Sequence, residues 1–416
     1  MGRDWIRDLQ VCLTIPENCE FNSMNVNKSP NDCNIGLNQA NEPRLIEQLF
    51  KKYPNVFTEQ LGCYNGEPAR LELKENVVPK FIKPRTIPFA LRDKVKSEID
   101  RLVSEGILTP VSNSEWGTPI VPVIKKNGDL RICADFRSST LNDCLVVNRH
   151  PIPRIEDLFN TLQKGESFSK IDLSQAYQQV SLDDQSKQYC TISTTFGLYR
   201  YNRLPYGVAS APGLFQQLME KILSGIPGVV CFLDDILVSG ENTKIHFDRL
   251  NEVCKRLNEN GLTVSKTKCD FFKKSVEYLG FVISKEGLSK AKSKVDAISN
   301  APTPLNVKQL KAFLGMVNYY CKYVPNMSTI AAPLYKLLQK DTEFEWTESC
   351  KKAFELIKNK LITAPILAHY DPKLPLNLAT DSSAYGLGCV LSQIQKGGSV
   401  KPICYASRTL TKAEMG

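Results

Sequence analysis

The stretch Val229-Val230-Cys231-Phe232-Leu233-Asp234-Asp235-Ile236-Leu237-Val238 decides how the chain is read. Five apolar residues run into two adjacent carboxylates, and three more apolar residues follow. As a β-hairpin, the segment sets both acids at the turn between two buried strands. Neighbouring carboxylates beside a core repel each other and resist desolvation, so their pKa values rise unless a cation neutralises them. Hard divalent cations with oxygen ligands do this, and Mg²⁺ favours one or two carboxylates together with substrate phosphates. Asp is also common in hairpin turns, so this stretch alone leaves a solvated turn open.

A second acid narrows the choice. Phe168-Ser169-Lys170-Ile171-Asp172-Leu173-Ser174-Gln175-Ala176-Tyr177 again ends a short apolar run in a lone carboxylate, ahead of a helical turn. Two-metal phosphoryl transfer needs acids from separate strands converging on ions about 3.5–4 Å apart. One strand end and one hairpin can supply them. Asp183 and Asp184 form a competing pair, but their polar surroundings read as a solvated turn.

The flanking pattern is mixed. Leu91, Val95, Ile99, Leu102 and Val103 share one helical face, and Gly106 stops it. Residues 118–136 read as two extended runs about an Asn127-Gly128 turn. Pro212 opens a helix with an apolar stripe from Leu214 to Leu223, and a further helix runs from His246 to Gly261. Extended segments follow at Val276–Ser284, and Asn306 with Gln309 resembles a capping box. These stripes are core-packing faces. Without a regular βαβ rhythm, the expected class is α+β.

Composition points the same way. The chain has 416 residues, enough for two or three domains, and 42% apolar content. Its net charge of +9 leans toward a polyanionic partner. Residues 255–294 hold ten Lys or Arg against four acids, a net +6, so most of the excess lies in one stretch. A solvated surface is the alternative reading of that stretch. The fourteen cysteines are scattered, with no Cys-x-x-Cys pair and only three histidines, which argues against zinc knuckles and disulfides. With no signal peptide and no run of membrane-spanning length, the expectation is a soluble intracellular protein, cytoplasmic or nuclear, with no membrane partner.

Four ordered segments carry a family resemblance. Phe232-Leu233-Asp234-Asp235 resembles the aromatic-x-Asp-Asp box of reverse transcriptases, and Asp172 in its setting is similar to their first catalytic acid. Leu204-Pro205-Tyr206-Gly207, with Ser210-Ala211-Pro212 and Phe215-Gln216, resembles the segment between those boxes. Glu277 to Ser284 resembles the primer-gripping hairpin. Order and spacing resemble those of Gypsy-type LTR retrotransposon Pol polyproteins, from about residue 50 to 412.

The resemblance implies a right-hand polymerase fold (fingers, palm, thumb) followed by the start of a ribonuclease H-like α/β domain. It implies fingers and palm over 43–284, thumb over 285–340 and the ribonuclease H-like part over 341–416. Residues 1–10 resemble the end of an aspartic protease, and 11–42 read as a linker. The implied activity is RNA-directed DNA polymerisation with Mg²⁺, or Mn²⁺ in its place, on an RNA or DNA template with a primer strand and dNTPs. Asp172, Asp234 and Asp235 would be the catalytic, metal-binding acids. Arg131 matches the triphosphate-clamping arginine, assisted by Lys125 or Lys126. Tyr177 matches the aromatic beneath the sugar, where a ring collides with a 2′-hydroxyl, and Tyr206 and Gly207 line the same pocket. The basic stretch falls where family members grip template and primer backbone.

Departures from the pattern set the remaining expectations. Phe232 stands where many relatives have Tyr, and Arg137-Ser138-Ser139-Thr140-Leu141-Asn142 differs from the commoner loop. Asp381, in Thr380-Asp381-Ser382-Ser383, matches a first ribonuclease H acid, but that chemistry needs several converging acids. The expectation is therefore a vestigial site without nuclease activity in this chain, cut from a longer polyprotein. A catalytically silent relic that only binds nucleic acid is the competing reading. An RNA-dependent RNA polymerase would more often place Gly before the Asp pair.

Overall fold

The computed structural model describes residues 42–124, 128–137, 141–162, 165–340 and 342–414. The expected protease remnant, all but the last residue of the expected linker, and Lys125 and Lys126 lie outside these. The described residues divide into two compact units, 42–273 and 274–414.

The first unit begins with α1 (Glu42–Lys52) and α2 (Arg92–Ser104). Then come β1 (Leu108–Val111), β2 (Thr118–Ile124), β3 (Leu130–Ala134), the short α3 (Leu141–Cys144) and α4 (Ile155–Leu162). After β4 (Ser167–Asp172) come α5 (Asp184–Tyr189), β5 (Thr191–Thr194), β6 (Gly197–Tyr201) and α6 (Ala211–Leu223). The unit closes with β7 (Val229–Phe232), β8 (Asp235–Gly240), α7 (Thr243–Glu259) and β9 (Asp270–Lys273). Its strands form one sheet of order β1-β6-β5-β2-β3 and another of order β7-β8-β4-β9.

Local chemistry accounts for the elements that matter most. The expected hairpin is present: β2 and β3 pair antiparallel from Ile120–Ala134 to Ile124–Leu130. In α2, Val95, Ile99 and Leu102 are buried at helical spacing, and Gly106 follows at φ +69°. Phe215, Met219, Ile222 and Leu223 of α6 are buried in the core of the unit. The Asn242 side chain accepts from the Ile245 N–H at 2.9 Å and caps α7. That helix buries Leu250, Val253 and Leu257 against the core. Asp183 likewise caps α5 by accepting from Ser186 N–H, so it is a structural acid.

Gly240, the last residue of β8, lies directly against His246 of α7. A Cβ added there would lie 2.4 Å from the His246 Cβ and 2.7 Å from its backbone nitrogen. Backbone cannot yield as a side-chain tip can. Gly240→Ala is expected to destabilise the protein by about 1–3 kcal/mol, an overpacking cost read from denaturant unfolding. Equal midpoints for parent and variant would refute this.

The second unit opens with the meander β10 (Ser275–Tyr278), β11 (Phe281–Ser284) and β12 (Gly287–Lys290). Helices α8 (Lys292–Ser299), α9 (Val307–Asn318), α10 (Met327–Lys336) and α11 (Glu348–Thr363) follow. A second meander, β13 (Leu376–Ser382), β14 (Gly386–Ile394) and β15 (Val400–Thr409), comes next, and a helical turn at Lys412–Glu414 ends the described chain. Asn306 caps α9 by accepting from Gln309 N–H at 3.0 Å. The Gln309 side chain accepts from Leu305 N–H instead of closing a box on Asn306. Phe313 of α9 packs on Phe354 of α11, with ring centroids 4.5 Å apart. Among the described residues, no helix is long and apolar enough to cross a membrane.

Candidate active site

The acidic hairpin forms as the residue pattern requires. Strands β7 and β8 pair antiparallel, with Phe232 opposite Asp235, leaving Leu233 and Asp234 in the turn. The second strand of the hairpin also pairs with β4, and there Asp172 lies directly opposite Asp235. Side chains opposite one another on antiparallel strands share a face and stand about 5 Å apart at Cβ. The two strands at the centre of this sheet therefore set Asp172 and Asp235 side by side, with Asp234 one residue away.

Like charges opposite each other weaken a sheet, and two lysines offset the repulsion here. Lys170 Nζ lies 3.1 Å from Asp235 Oδ2, and Lys268 Nζ lies 3.3 Å from Asp172 Oδ1. Lys170 and Asp172 share a face of β4 because side chains alternate along a strand. Among the described residues Asp234 has no such partner. Its Oδ1 is buried without a hydrogen bond. Burial first, then the charges of Asp235 and Asp172, push its carboxyl up to about 6, against the opposing pull of Arg131 and Lys268. Burial also raises Asp235, with Lys170 opposing it. Among the described residues, no three acid, imidazole or thiol groups stand together as a ready-made metal cage. Two of the three acids are instead turned onto ammonium groups.

An aromatic chain borders the acids. Tyr177 lies in the helical turn Ala176–Gln179 that follows β4 and is buried. Its ring centroid is 5.2 Å from that of Tyr206 and 5.3 Å from that of Phe215. The Arg131 guanidinium, on β3, lies over the Tyr206 ring at 5.0 Å. Gly207 takes φ +94°, and a Cβ there would lie 3.2 Å from Ala134 O. Asn142 ties this turn down, donating to Gly207 O at 3.0 Å and accepting from Ala209 N–H at 2.9 Å. So Asp172, Asp234, Asp235, Arg131, Tyr177, Tyr206 and Gly207 all belong to the first unit. Asp381 belongs to the second, exposed at the end of β13, where Asn326 Nδ2 donates to it at 3.3 Å.

Residue reading missed three contributors. Gln216 is fully buried and accepts from Leu233 N–H at 2.8 Å while donating to Cys231 O at 2.9 Å. It thereby holds the acidic turn, in which Leu233 adopts φ +54°. Lys170 was legible from the two-residue period of its strand. Lys268 was counted only as part of a basic run. Within that run, Arg256 donates to Ile222 O and Ser224 O, so it braces the fold. Lys290 is half-buried over the Tyr323 ring at 5.0 Å, and burial lowers its ammonium to about 8. The other eight bases of the run are exposed.

Residues 123–283 match the family model described as reverse transcriptase (RNA-dependent DNA polymerase). Residues 346–416 match an RNase H-like domain found in reverse transcriptase. The retrovirus-related Pol polyprotein from transposon opus of Drosophila melanogaster is 31% identical over 443 aligned residues, covering 100% of this chain and 44% of its own length. That from transposon 412 of the same fly is 31% identical, covering 92% of this chain and 33% of its length. The chain thus spans less than half of these relatives. Among solved structures, a foamy viral protease-reverse transcriptase in complex with double-stranded DNA is similar. It has a TM-score of 0.83 at 28% identity, over 91% of this chain and 66% of that one. A foamy viral relative solved with an RNA/DNA hybrid has a TM-score of 0.77.

Proposed function

From the chain's membership of the reverse transcriptases of retrotransposon Pol polyproteins, we propose that it is a Gypsy-type RNA-directed DNA polymerase whose nucleotidyl transfer centres on Asp172, Asp234 and Asp235. The observation that carries this reading is the acidic cluster itself. Two carboxylates face each other across adjacent strands, and a third keeps a buried oxygen without a partner. Sheet stability alone disfavours that arrangement. A divalent cation gives it a purpose.

The three acids would hold Mg²⁺, with Mn²⁺ as a substitute, which would supply activation of the primer 3′-hydroxyl and charge neutralisation at the triphosphate. The reaction forms a bond from the 3′-oxygen to the α-phosphorus, breaks the α–β anhydride and releases pyrophosphate. The chain's own groups position the reactants. The Arg131 guanidinium can fork onto triphosphate oxygens while its flat face rests on Tyr206. Lys125 and Lys126 are assigned as its helpers. The ring of Tyr177 would lie beneath the sugar, and Tyr206 and Gly207 would line the same pocket. Lys170 and Lys268 keep the outer acids neutralised until a cation displaces them.

The template is RNA or DNA with a primer strand, and the exposed bases of 255–294 other than Lys268 are assigned to its phosphates. Residues 43–284 are assigned to fingers and palm, 285–340 to thumb and 341–416 to the ribonuclease H-like part. The silent-relic reading is not favoured, because all three acids are intact.

Primer extension by the purified chain, on an RNA template with dNTPs and Mg²⁺, tests the proposal. Products lengthened one nucleotide at a time are expected, and chelation should stop them. A chain that binds primed template yet extends nothing with either Mg²⁺ or Mn²⁺ would refute it.

A further inference from the structure

The turn that carries Asp234 is held from outside by a chain of side chains ending well away from the acids. Leu233 has a left-handed φ of +54°, a conformation that is disfavoured for a bulky non-glycine residue and persists only where neighbours impose it. Gln216 imposes it, since its Oε1 accepts from Leu233 N–H and its Nε2 donates to Cys231 O. The second N–H of that buried amide donates to Glu220 Oε1 at 2.8 Å. The other carboxylate oxygen, Glu220 Oε2, lies 2.7 Å from His150 Nε2. A carboxylate only accepts, so that imidazole nitrogen is the donor. The backbone that carries His150 is fixed in turn: the His150 backbone N–H donates to Asn148 Oδ1 at 2.8 Å, and the Asn148 backbone N–H donates to Ser210 Oγ at 3.2 Å.

With Leu233 N–H, Cys231 O and Glu220 Oε1 as its partners, the Gln216 amide has one compatible orientation. Flipping the Gln216 amide would set N–H against Leu233 N–H, oxygen against Cys231 O and oxygen against Glu220. We propose that Glu220, held by His150, is a positioning residue that locks the Gln216 amide and through it the placement of Asp234. The inference rests on the polymerase reading above, because it assigns Glu220 a role in metal binding and turnover. Neither Glu220 nor His150 touches the acids.

Three variants test it. Glu220→Leu removes the acceptor, Glu220→Gln retains one, and His150→Phe keeps a ring but removes the donor. In Glu220→Leu, kcat should fall about tenfold, and the Mg²⁺ concentration for half-maximal rate should rise several-fold. The dNTP KM and primer–template affinity should stay near the parent's. Glu220→Gln should remain within about twofold, and His150→Phe should shift the same two quantities by a smaller factor. Amide hydrogen exchange at Leu233 and calorimetric Mg²⁺ binding, measured without substrate, should show faster exchange and weaker binding in Glu220→Leu.

Parental exchange and Mg²⁺ affinity in Glu220→Leu would overturn the role, as would equal losses in the Leu and Gln variants. If Glu220→Leu does not fold, His150→Phe decides, and parental values there overturn it. A parent that polymerises nothing would instead sink the functional reading, while the exchange and calorimetric results would still judge the positioning role.

Discussion

Replacing Asp234 by Asn is expected to remove primer extension by roughly 10³-fold or more and, in the same protein, to raise the melting temperature of the metal-free form. The first effect follows from removing one of the charges that would hold the ions, when electrostatic stabilisation is the largest catalytic contribution in such chemistry. The second follows from where that charge sits. The Asp234 carboxyl is half-buried, shares its surroundings with Asp235 and Asp172, and is raised from its usual 3.8 to about 6. The folded protein therefore holds this proton more tightly than the unfolded chain does. Its contribution favours folding most below about pH 4, declines as pH rises toward 6, and above that leaves an ionised group that folding disfavours. After discounting for solvent screening, the disadvantage is on the order of 1 kcal/mol, or a few degrees of melting temperature. Asn carries no charge at any pH, so its advantage should be full at pH 8 and vanish near pH 4. Melting curves in a chelating buffer at both values check this. A gap that is absent at pH 8, or that widens in acid, would sink the electrostatic account while leaving the activity prediction standing. Saturating Mg²⁺ should reverse the order, because binding to the folded parent stabilises it.

The same crowding of buried charge made part of the site legible. The Asp234–Asp235 turn could be read because two charges interrupt an apolar run, a conflict between local pattern and burial that marks functional sites. The stripe of α6 could be read because Phe215, Met219 and Ile222 repeat at helical spacing. The pairing of Asp172 with Asp235 could not, since register between distant strands is a property of the assembled sheet. Nor does anything about a leucine announce the left-handed turn at Leu233, which Gln216 imposes from another element. The partners of single bases in the basic stretch were illegible for a related reason. Arg256, Lys268 and Lys290 are spent on carbonyls, on Asp172 and on an aromatic ring, which no count of charges reveals. Helix α11 carries the same signal in Cys350, Phe354, Ile357 and Leu361, its buried face, whereas Pro333 interrupts the pattern of α10.

Tyr177→Val is expected to let the enzyme use ribonucleotides. Tyr177 is only 8% exposed, and its ring is wedged between Tyr206 and Phe215, so it cannot swing aside to admit an extra oxygen. Burial pushes its hydroxyl up to about 12, so at working pH it is a neutral, bulky group and any discrimination it gives is steric. Forcing one more heavy atom against a well-packed ring costs about 1–3 kcal/mol, or roughly tenfold to a hundredfold in relative rate. Valine removes the ring but keeps an apolar wall, so the preference for dNTP over rNTP should fall by that factor, read as the ratio of kcat/KM values. The lost packing also destabilises the variant by about 1–3 kcal/mol, so the assays belong well below its melting point. Tyr177→Phe separates the ring from its hydroxyl. It should discriminate like the parent if the ring is the barrier, and like the Val variant if the hydroxyl is. Unchanged sugar preference in Tyr177→Val, with deoxynucleotide incorporation intact, would remove Tyr177 from the nucleotide site and leave it a core tyrosine.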